Sequence, residues 1–141
     1  EWEYAARSGG RDRKFPWGNE KATCERAVIS EGDDGALGCG KNSTWPVCSK
    51  PAGNTRQGLC DMAGNAWEWV QDRFHNSYAG APADGNSREG PGANRVVRGG
   101  SFRLSAENAR CALRGGVPGD RDFTLGFRPA RAIPARRLKQ E

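Results

Sequence analysis

The residue types best suited to chemistry in this chain are concentrated in one short segment, GLCDMAGNAWEW at positions 58–69. Asp61 and Glu68 place carboxylates on either side of the pair Gly64-Asn65, and both residues of that pair tolerate a positive φ. A turn at this pair can direct backbone carbonyl oxygens toward the same space. Carboxylate and carbonyl oxygens are the ligands that Ca²⁺ takes in proteins. The segment is therefore a candidate calcium loop, and an acidic loop that is merely solvated is the alternative.

Two tryptophans follow this turn. Trp67 and Trp69 alternate with Glu68, which is the period of a β-strand and would place both indoles on one face. The residues 70–74 (VQDRF) are expected to continue the strand. We therefore predict a tight loop that opens into a strand anchored by buried indoles, each of which needs an acceptor for its N–H.

Other residue patterns exclude several kinds of site. Asp72, His75 and Ser77 lie within six residues of one another, which is poor geometry for a proton relay, and no nucleophile elbow is present. His75 is the single histidine and no CxxC pair occurs, which argues against zinc. The Gly-rich stretch 32–40 lacks the Gly-Lys-Ser/Thr ending of a phosphate-binding loop.

Composition predicts one loop-rich domain of the α+β class with little regular structure. The chain has 141 residues, 20 of them Gly and eight Pro, which indicates many turns. Five Trp and a net charge of +5 are not typical of a disordered chain. The arginines are scattered and no aromatic platform accompanies them, so we expect no nucleic acid as partner. No apolar run approaches the length needed to span a membrane.

The five cysteines divide into a group of four, Cys24, Cys39, Cys48 and Cys60, and the separate Cys111. We expect two disulfides within the group of four, which indicates an oxidising, extracytoplasmic compartment such as the periplasm or the exterior. Free thiols in a cytosolic protein are the alternative. Four cysteines allow three connectivities, of which we predict Cys24–Cys39 with Cys48–Cys60.

Local patterns also predict the remaining elements. A helix is expected over 1–8, ended by Gly9-Gly10. A strand over 95–98 should lead into a sharp bend at 99–101. Further strands are predicted over 109–114 and 125–130, with a loop over 115–124 between them.

Five sequence blocks occur in a recognisable order: EWEYAAR (1–7), FPWGN (15–19), GNAWEW (64–69), RVVRGGSF (95–102) and LGFR (125–128). This series closely resembles the formylglycine-generating-enzyme (sulfatase-modifying-factor) family, whose fold is a divergent C-type-lectin-like one. The resemblance covers residues 1–131 and leaves 132–141 as a basic tail. It implies that the chain is the C-terminal part of the family's domain. The N-terminal portion would then be a partner, in the same chain or as a separate one.

The resemblance supports the calcium loop. The positions that match calcium ligands in the family are Asp61, Gly64, Ala66 and Glu68. A second calcium site of the family would involve Asp33 and Asp34, with the backbone carbonyl of Arg26 or Ala27.

The resemblance also predicts that copper is absent. The family's catalyst oxidises a substrate cysteine with two cysteines that hold copper, both shortly after the Gly-Gly-Ser bend. Leu104 and Ala109 occupy these positions here, and residues 101–110 contain no Cys. Cys111 matches a different position, whose usual disulfide partner is Ala6 in this chain, so an unpaired, buried thiol is expected.

Members of this fold that serve as binding proteins, including the variable proteins of diversity-generating retroelements, display ligand-facing residues in three intervals. These correspond here to 103–105, 115–117 and 122–124, which we expect to lie on one exposed surface. The candidate ligand-binding residues are Arg103, Leu104, Ser105, Val117, Asp122 and Phe123. Their mix of charge and apolar surface favours a protein or peptide ligand.

Taken with the resemblance, these patterns predict a non-catalytic, calcium-stabilised ligand- or protein-binding module without copper. The alternative is a sulfatase-modifying oxidoreductase, or a related enzyme of the family with a different mechanism. A purely structural domain fused to another protein is a third possibility.

Overall fold

Four short strands and one helical turn organise the chain. The computed structural model describes residues 1–31, 35–119 and 121–131. Its elements are α1 (Trp2–Ala6), β1 (Trp67–Arg73), β2 (Asn94–Arg98), β3 (Gly115–Pro118) and β4 (Leu125–Phe127), with 3₁₀ turns at Pro51–Gly53 and Ala106–Ala109. The predicted α+β, loop-rich class is confirmed.

The strands form one sheet in the order β3-β2-β1-β4. β1 pairs antiparallel with β2, where Trp69 faces Val97, and parallel with β4, where Trp69 faces Phe127. β2 pairs antiparallel with β3. β1 is therefore a central strand, and β3 and β4 are the two edges.

The start of the chain folds as its sequence predicts. α1 covers Trp2–Ala6, and the backbone amides of Gly9 and Gly10 both donate to the carbonyl of Tyr4 at 3.0 Å. These two glycines have φ of +86° and +73°. A left-handed conformation of this kind ends helices and favours glycine.

The Trp strand is confirmed, but the alternation buries the opposite face from the one predicted. Glu68 is only 8% exposed, whereas Trp67 and Trp69 are half-buried. The carboxylate tolerates this position because cationic and N–H donors from distant parts of the chain meet it there.

The predicted strand over 109–114 is wrong. Ala106–Ala109 is a 3₁₀ turn, and β3 begins at Gly115, inside the stretch predicted to be loop. Gly115 and Gly116 are used for close packing: a Cβ on Gly116 would lie 2.5 Å from Cγ of Phe74. Glycine in a strand often marks such a close approach. β4 is also shorter than predicted, ending at Phe127.

Both predicted disulfides form, Cys24–Cys39 and Cys48–Cys60, and Cys111 is a free, buried cysteine. The disulfides hold the loop-rich half between α1 and β1, where the described residues contain no helix or strand longer than a 3₁₀ turn. Small apolar residues fill the core around Phe15 and Ile29. Among the residues that the structure describes, no helix has the length and apolarity needed to cross a membrane.

Gly53 provides a steric test of this packing, because a Cβ there would lie 1.8 Å from the backbone oxygen of Arg26. Gly53→Ala should therefore lower the free energy of unfolding by about 2–3 kcal/mol, the cost of forcing atoms into filled space. Chemical denaturation measures this value. Gly119→Ala is the matched control, since nothing lies within 4 Å of its Cβ position. Equal stability of the two variants would contradict the packing at Gly53.

Candidate functional site

An ion pair between buried Glu68 and half-buried Arg128 lies at the end of the predicted metal loop. The Trp2 indole N–H donates to Glu68 Oε2 at 2.7 Å. Arg128 donates through Nη2 to Oε1 at 2.6 Å and through Nε to Oε2 at 3.0 Å. This two-pronged arrangement is the strong form of an Arg–carboxylate bond. Glu68 therefore joins α1, β1 and the segment that follows β4.

The Gly64-Asn65 turn is held by backbone bonds on both sides. The amide of Gly64 donates to the carbonyl of Gly99 at 2.8 Å, and the amide of Asn65 donates to the carbonyl of Val28 at 2.7 Å. Asn65 is buried, and its side chain bonds both the amide and the carbonyl of Trp45. The turn thus connects the β2 bend to two loops of the disulfide-linked half.

The four predicted calcium positions lie in this loop and in β1, but their carboxylates are already engaged. Both oxygens of Glu68 accept bonds, and a guanidinium is one of the donors. Asp61 Oδ2 accepts the amide of Cys48 at 2.7 Å. Asp61 also lies beside the sulfurs of Cys48 and Cys60, which cannot bind a metal as thiolates because they form a disulfide.

Glu68 in this arrangement does not fit calcium, since a bound ion would have to displace Arg128 or accept a cation as its neighbour. The set Asp61, Gly64, Ala66 and Glu68 stays a prediction. Asp33 and Asp34, proposed for a second site, lie outside the described residues.

The positions where the family would hold copper carry no thiol. Leu104 is half-buried and its carbonyl accepts the amide of Ser30 at 2.9 Å, while Ala109 is buried. Burial raises the pKa of the Cys111 thiol to about 11. Cys111 is therefore protonated at neutral pH and is a core side chain.

Two of the three predicted ligand-facing runs come together. The Arg103 guanidinium lies 5.2 Å from the centre of the Phe123 ring, and the ring of Phe102 lies 6.3 Å away on its buried side. Phe123 is 67% exposed. Asp122 accepts bonds from the hydroxyl and the amide of Thr124, which lower the pKa of its carboxyl, and Arg103 lowers it further. We call Arg103, Asp122 and Phe123 the Phe123 face.

The other predicted ligand residues are placed differently. Leu104 and Ser105 continue the chain beside the Phe123 face, half-buried and exposed respectively. Val117 lies on β3, at the opposite edge of the sheet from β4. The prediction that 115–117 shares one surface with 122–124 is wrong, because β1 and β2 lie between these edges.

The family assignment is decided by a match that covers nearly the whole chain. The family model described as "Sulfatase-modifying factor enzyme 1-like domain" matches residues 1–133. The chain belongs to this family. The Formylglycine-generating enzyme of Streptomyces coelicolor is 37% identical over 92% of the chain and 44% of its own length.

Two solved structures share the fold of this sulfatase-modifying-factor-like domain. PvdO from Pseudomonas aeruginosa has a TM-score of 0.74 and 33% identity, covering 89% of this chain and 48% of its own. Treponema denticola variable protein 1 has a TM-score of 0.68 and 32% identity, covering 90% and 43%. The chain thus spans less than half the length of each of these proteins.

Sequence analysis assigned no side-chain partner to Glu68, and the structure shows that this partner is Arg128. Its only local signal is its place in the LGFR block, and nothing in that block indicates Glu68, which lies 60 positions earlier. The contact depends on the parallel pairing of β1 with β4.

Arg128→Ala would leave the buried Glu68 carboxylate without its cation. We expect the free energy of unfolding to fall by about 3 kcal/mol, the usual cost of removing one partner of a largely buried pair. Urea denaturation in the presence of a chelator measures this. Arg131→Ala, at an exposed arginine of the same segment, should have no measurable effect.

Calcium addition tests the predicted calcium site separately from the ion pair. If calcium binds, adding it should raise the melting temperature of the unmodified protein, by the equivalent of about 2.7 kcal/mol at a hundredfold excess over Kd. Glu68→Ala should then abolish that rise. A melting temperature that calcium leaves unchanged would contradict the predicted calcium site. Arg128 would then be the cationic partner of Glu68.

Proposed function

We propose that this domain binds a protein or peptide ligand through the Phe123 face and does not oxidise cysteine with copper. The observation that carries the proposal is Phe123, a large aromatic side chain that is two-thirds exposed although Phe102 and Arg103 hold it in place. These contacts order the ring and leave most of it uncovered. A ligand that covers the ring would gain its apolar area at little entropic cost.

The chemistry of the Phe123 face suits a polypeptide. Aromatic and Arg side chains dominate the energetics of protein interfaces. Arg103 and Asp122 add one charge of each sign beside the ring, which gives a ligand orientation as well as affinity. Loops on a rigid frame are the usual place for recognition, and here the frame is the paired strands β1 and β4.

The absence of thiols at Leu104 and Ala109 supports the non-catalytic part of the proposal. Cu(I) binding requires soft ligands such as thiolates, and the cysteine that follows, Cys111, is buried and protonated. The likeness to Treponema denticola variable protein 1 supports a binding role. The likeness to the Streptomyces enzyme supports the alternative, a sulfatase-modifying oxidoreductase or family enzyme with a different mechanism.

The two disulfides support an oxidising, extracytoplasmic location for the domain. Because the chain spans less than half of its relatives, we also propose that the family's N-terminal portion is a partner. The apolar side chains left uncovered in the described residues, such as Tyr4 and Phe127, are consistent with such a neighbour.

Catalysis is tested directly with a cysteine-containing sulfatase-motif peptide. After loading with Cu(I), the protein should neither retain copper through dialysis nor convert the peptide's cysteine to formylglycine by mass spectrometry. The Streptomyces coelicolor relative, treated identically, is the positive control. Turnover by this chain would favour the enzyme alternative and overturn the non-catalytic proposal.

Binding is tested by selecting displayed peptides on the full-length protein and measuring their affinity for variants. Phe123→Ala should weaken a selected peptide by about 30-fold, which corresponds to about 2 kcal/mol for an aromatic anchor. Val47→Ala is the control, since this apolar side chain is also 79% exposed but lies in the disulfide-linked half of the chain, outside the Phe123 face. Equal losses in the two variants would contradict the Phe123 face.

A further inference from the structure

A second site lies at the opposite edge of the sheet, around Arg114. Its guanidinium carbon lies 4.2 Å from the centre of the Tyr78 ring and 5.5 Å from that of Phe74. Stacking of this kind fixes the plane of a guanidinium while leaving its N–H edge free to bind.

The aromatic partners are themselves held. The backbone amide of Phe74 donates to the carbonyl of Asn94 at 3.0 Å, and its ring lies flat on Gly116, where a Cβ would come within 2.5 Å of the ring. Tyr78 contacts Arg98 through its hydroxyl, 3.4 Å from Nη2. The glycine at 116 is thus what allows Phe74 to support Arg114.

Arg114 is distinguished by donors that have no acceptor. Across residues 1–31, 35–119 and 121–131, nothing forms a hydrogen bond or ion pair with its guanidinium, which carries five N–H groups. Two neighbouring arginines are occupied. Arg88 donates to the carbonyls of Ser77 and Ala79, and Arg98 donates to two carbonyls and to Glu3.

Arg114 lines, together with Tyr78, Arg88 and Arg98, a cavity of about 420 Å³, within the range that small ligands occupy. Three carboxylates lie in its lining. Glu3 pairs with Arg7 and Arg98, and Asp72 accepts the amide of Arg88, whereas the Glu1 carboxylate has no ion pair among the described residues. The charges of Glu3 and Asp72 are thereby partly offset.

Arg73 also lines the cavity; its Nη1 donates to the carbonyl of Gly92, and its buried Nε has no partner among the described residues. Arg114 differs from it because its whole guanidinium is available to a ligand.

We propose that this cavity binds a carboxylate group, with Arg114 as the receptor and Tyr78 holding it in orientation. The planar fork of an arginine matches the two oxygens of a carboxylate. A single free guanidinium balances one negative charge, and the nearby Glu3 and Asp72 disfavour a dianion such as phosphate. The carboxylate belongs either to a small acid or to the C-terminus of a peptide. This site does not depend on the Phe123 face.

The proposal is tested by titrating the full-length protein with N-acetylglycine, which mimics a peptide C-terminus, and with acetate. N-acetylglycinamide, which has no charge, is the matched control ligand. Saturable movement of the Arg114 Nε–Hε resonance by either acid, and none by the amide, is the expected result. Preference for N-acetylglycine over acetate would assign the site to a peptide C-terminus, and equal affinity would assign it to small acids.

Variants then locate the effect. Arg114→Gln should weaken binding at least tenfold, and Tyr78→Ala should weaken it severalfold because the stack is lost. Arg121→Gln, at an exposed arginine, should leave it unchanged. If Arg114→Gln does not fold, two other results locate the binding site. These are the shift of the Arg114 resonance in the unmodified protein and the loss of affinity in Tyr78→Ala. No saturable shift, equal binding of the amide, or equal weakening by Arg121→Gln would overturn the proposal.

Discussion

The buried carboxylate of Glu68 is the interaction on which the arrangement of this domain depends. A charge taken out of water is costly unless donors meet it, and Glu68 receives them from Trp2 and Arg128. The three residues come from α1, β1 and the end of β4, which are far apart in the chain. The carboxylate therefore couples the positions of the three elements, because its burial is tolerable only when all three are in place.

The same constraint requires a cation beside Glu68 once this carboxylate is buried. In the family resemblance Glu68 is a calcium ligand, whereas in this structure a guanidinium takes the place beside it. Either cation would neutralise the buried charge and connect the loop at Gly64-Asn65 to the sheet. Arg128 also donates to the carbonyl of Cys60 at 2.8 Å, so it connects Glu68 to the backbone of the same loop.

The sequence predicted those parts of the fold that depend on interactions between residues close together in the chain. The alternation of Trp67, Glu68 and Trp69 indicated β1, and Gly9-Gly10 indicated the end of α1. The disulfide pairing followed from neighbouring cysteines. β3 was missed because Gly115-Gly116 is also a turn signal, and only the Phe74 ring that lies on it shows its purpose. Which face of β1 is buried depends on Arg128, and no local pattern contains that contact.

The sheet order has a consequence for how the two proposed sites relate. The Phe123 face adjoins β4, and Arg114 adjoins β3, with β1 and β2 between these edges. Residues separated in this way and sharing no partner usually contribute to stability and binding independently. Side chains at either edge can therefore change without disturbing the other, as long as the frame around Glu68 and the Gly99-Gly100 bend is kept. A domain built in this way combines a fixed interior with two proposed recognition surfaces of different chemistry, one centred on an aromatic ring and one on a guanidinium.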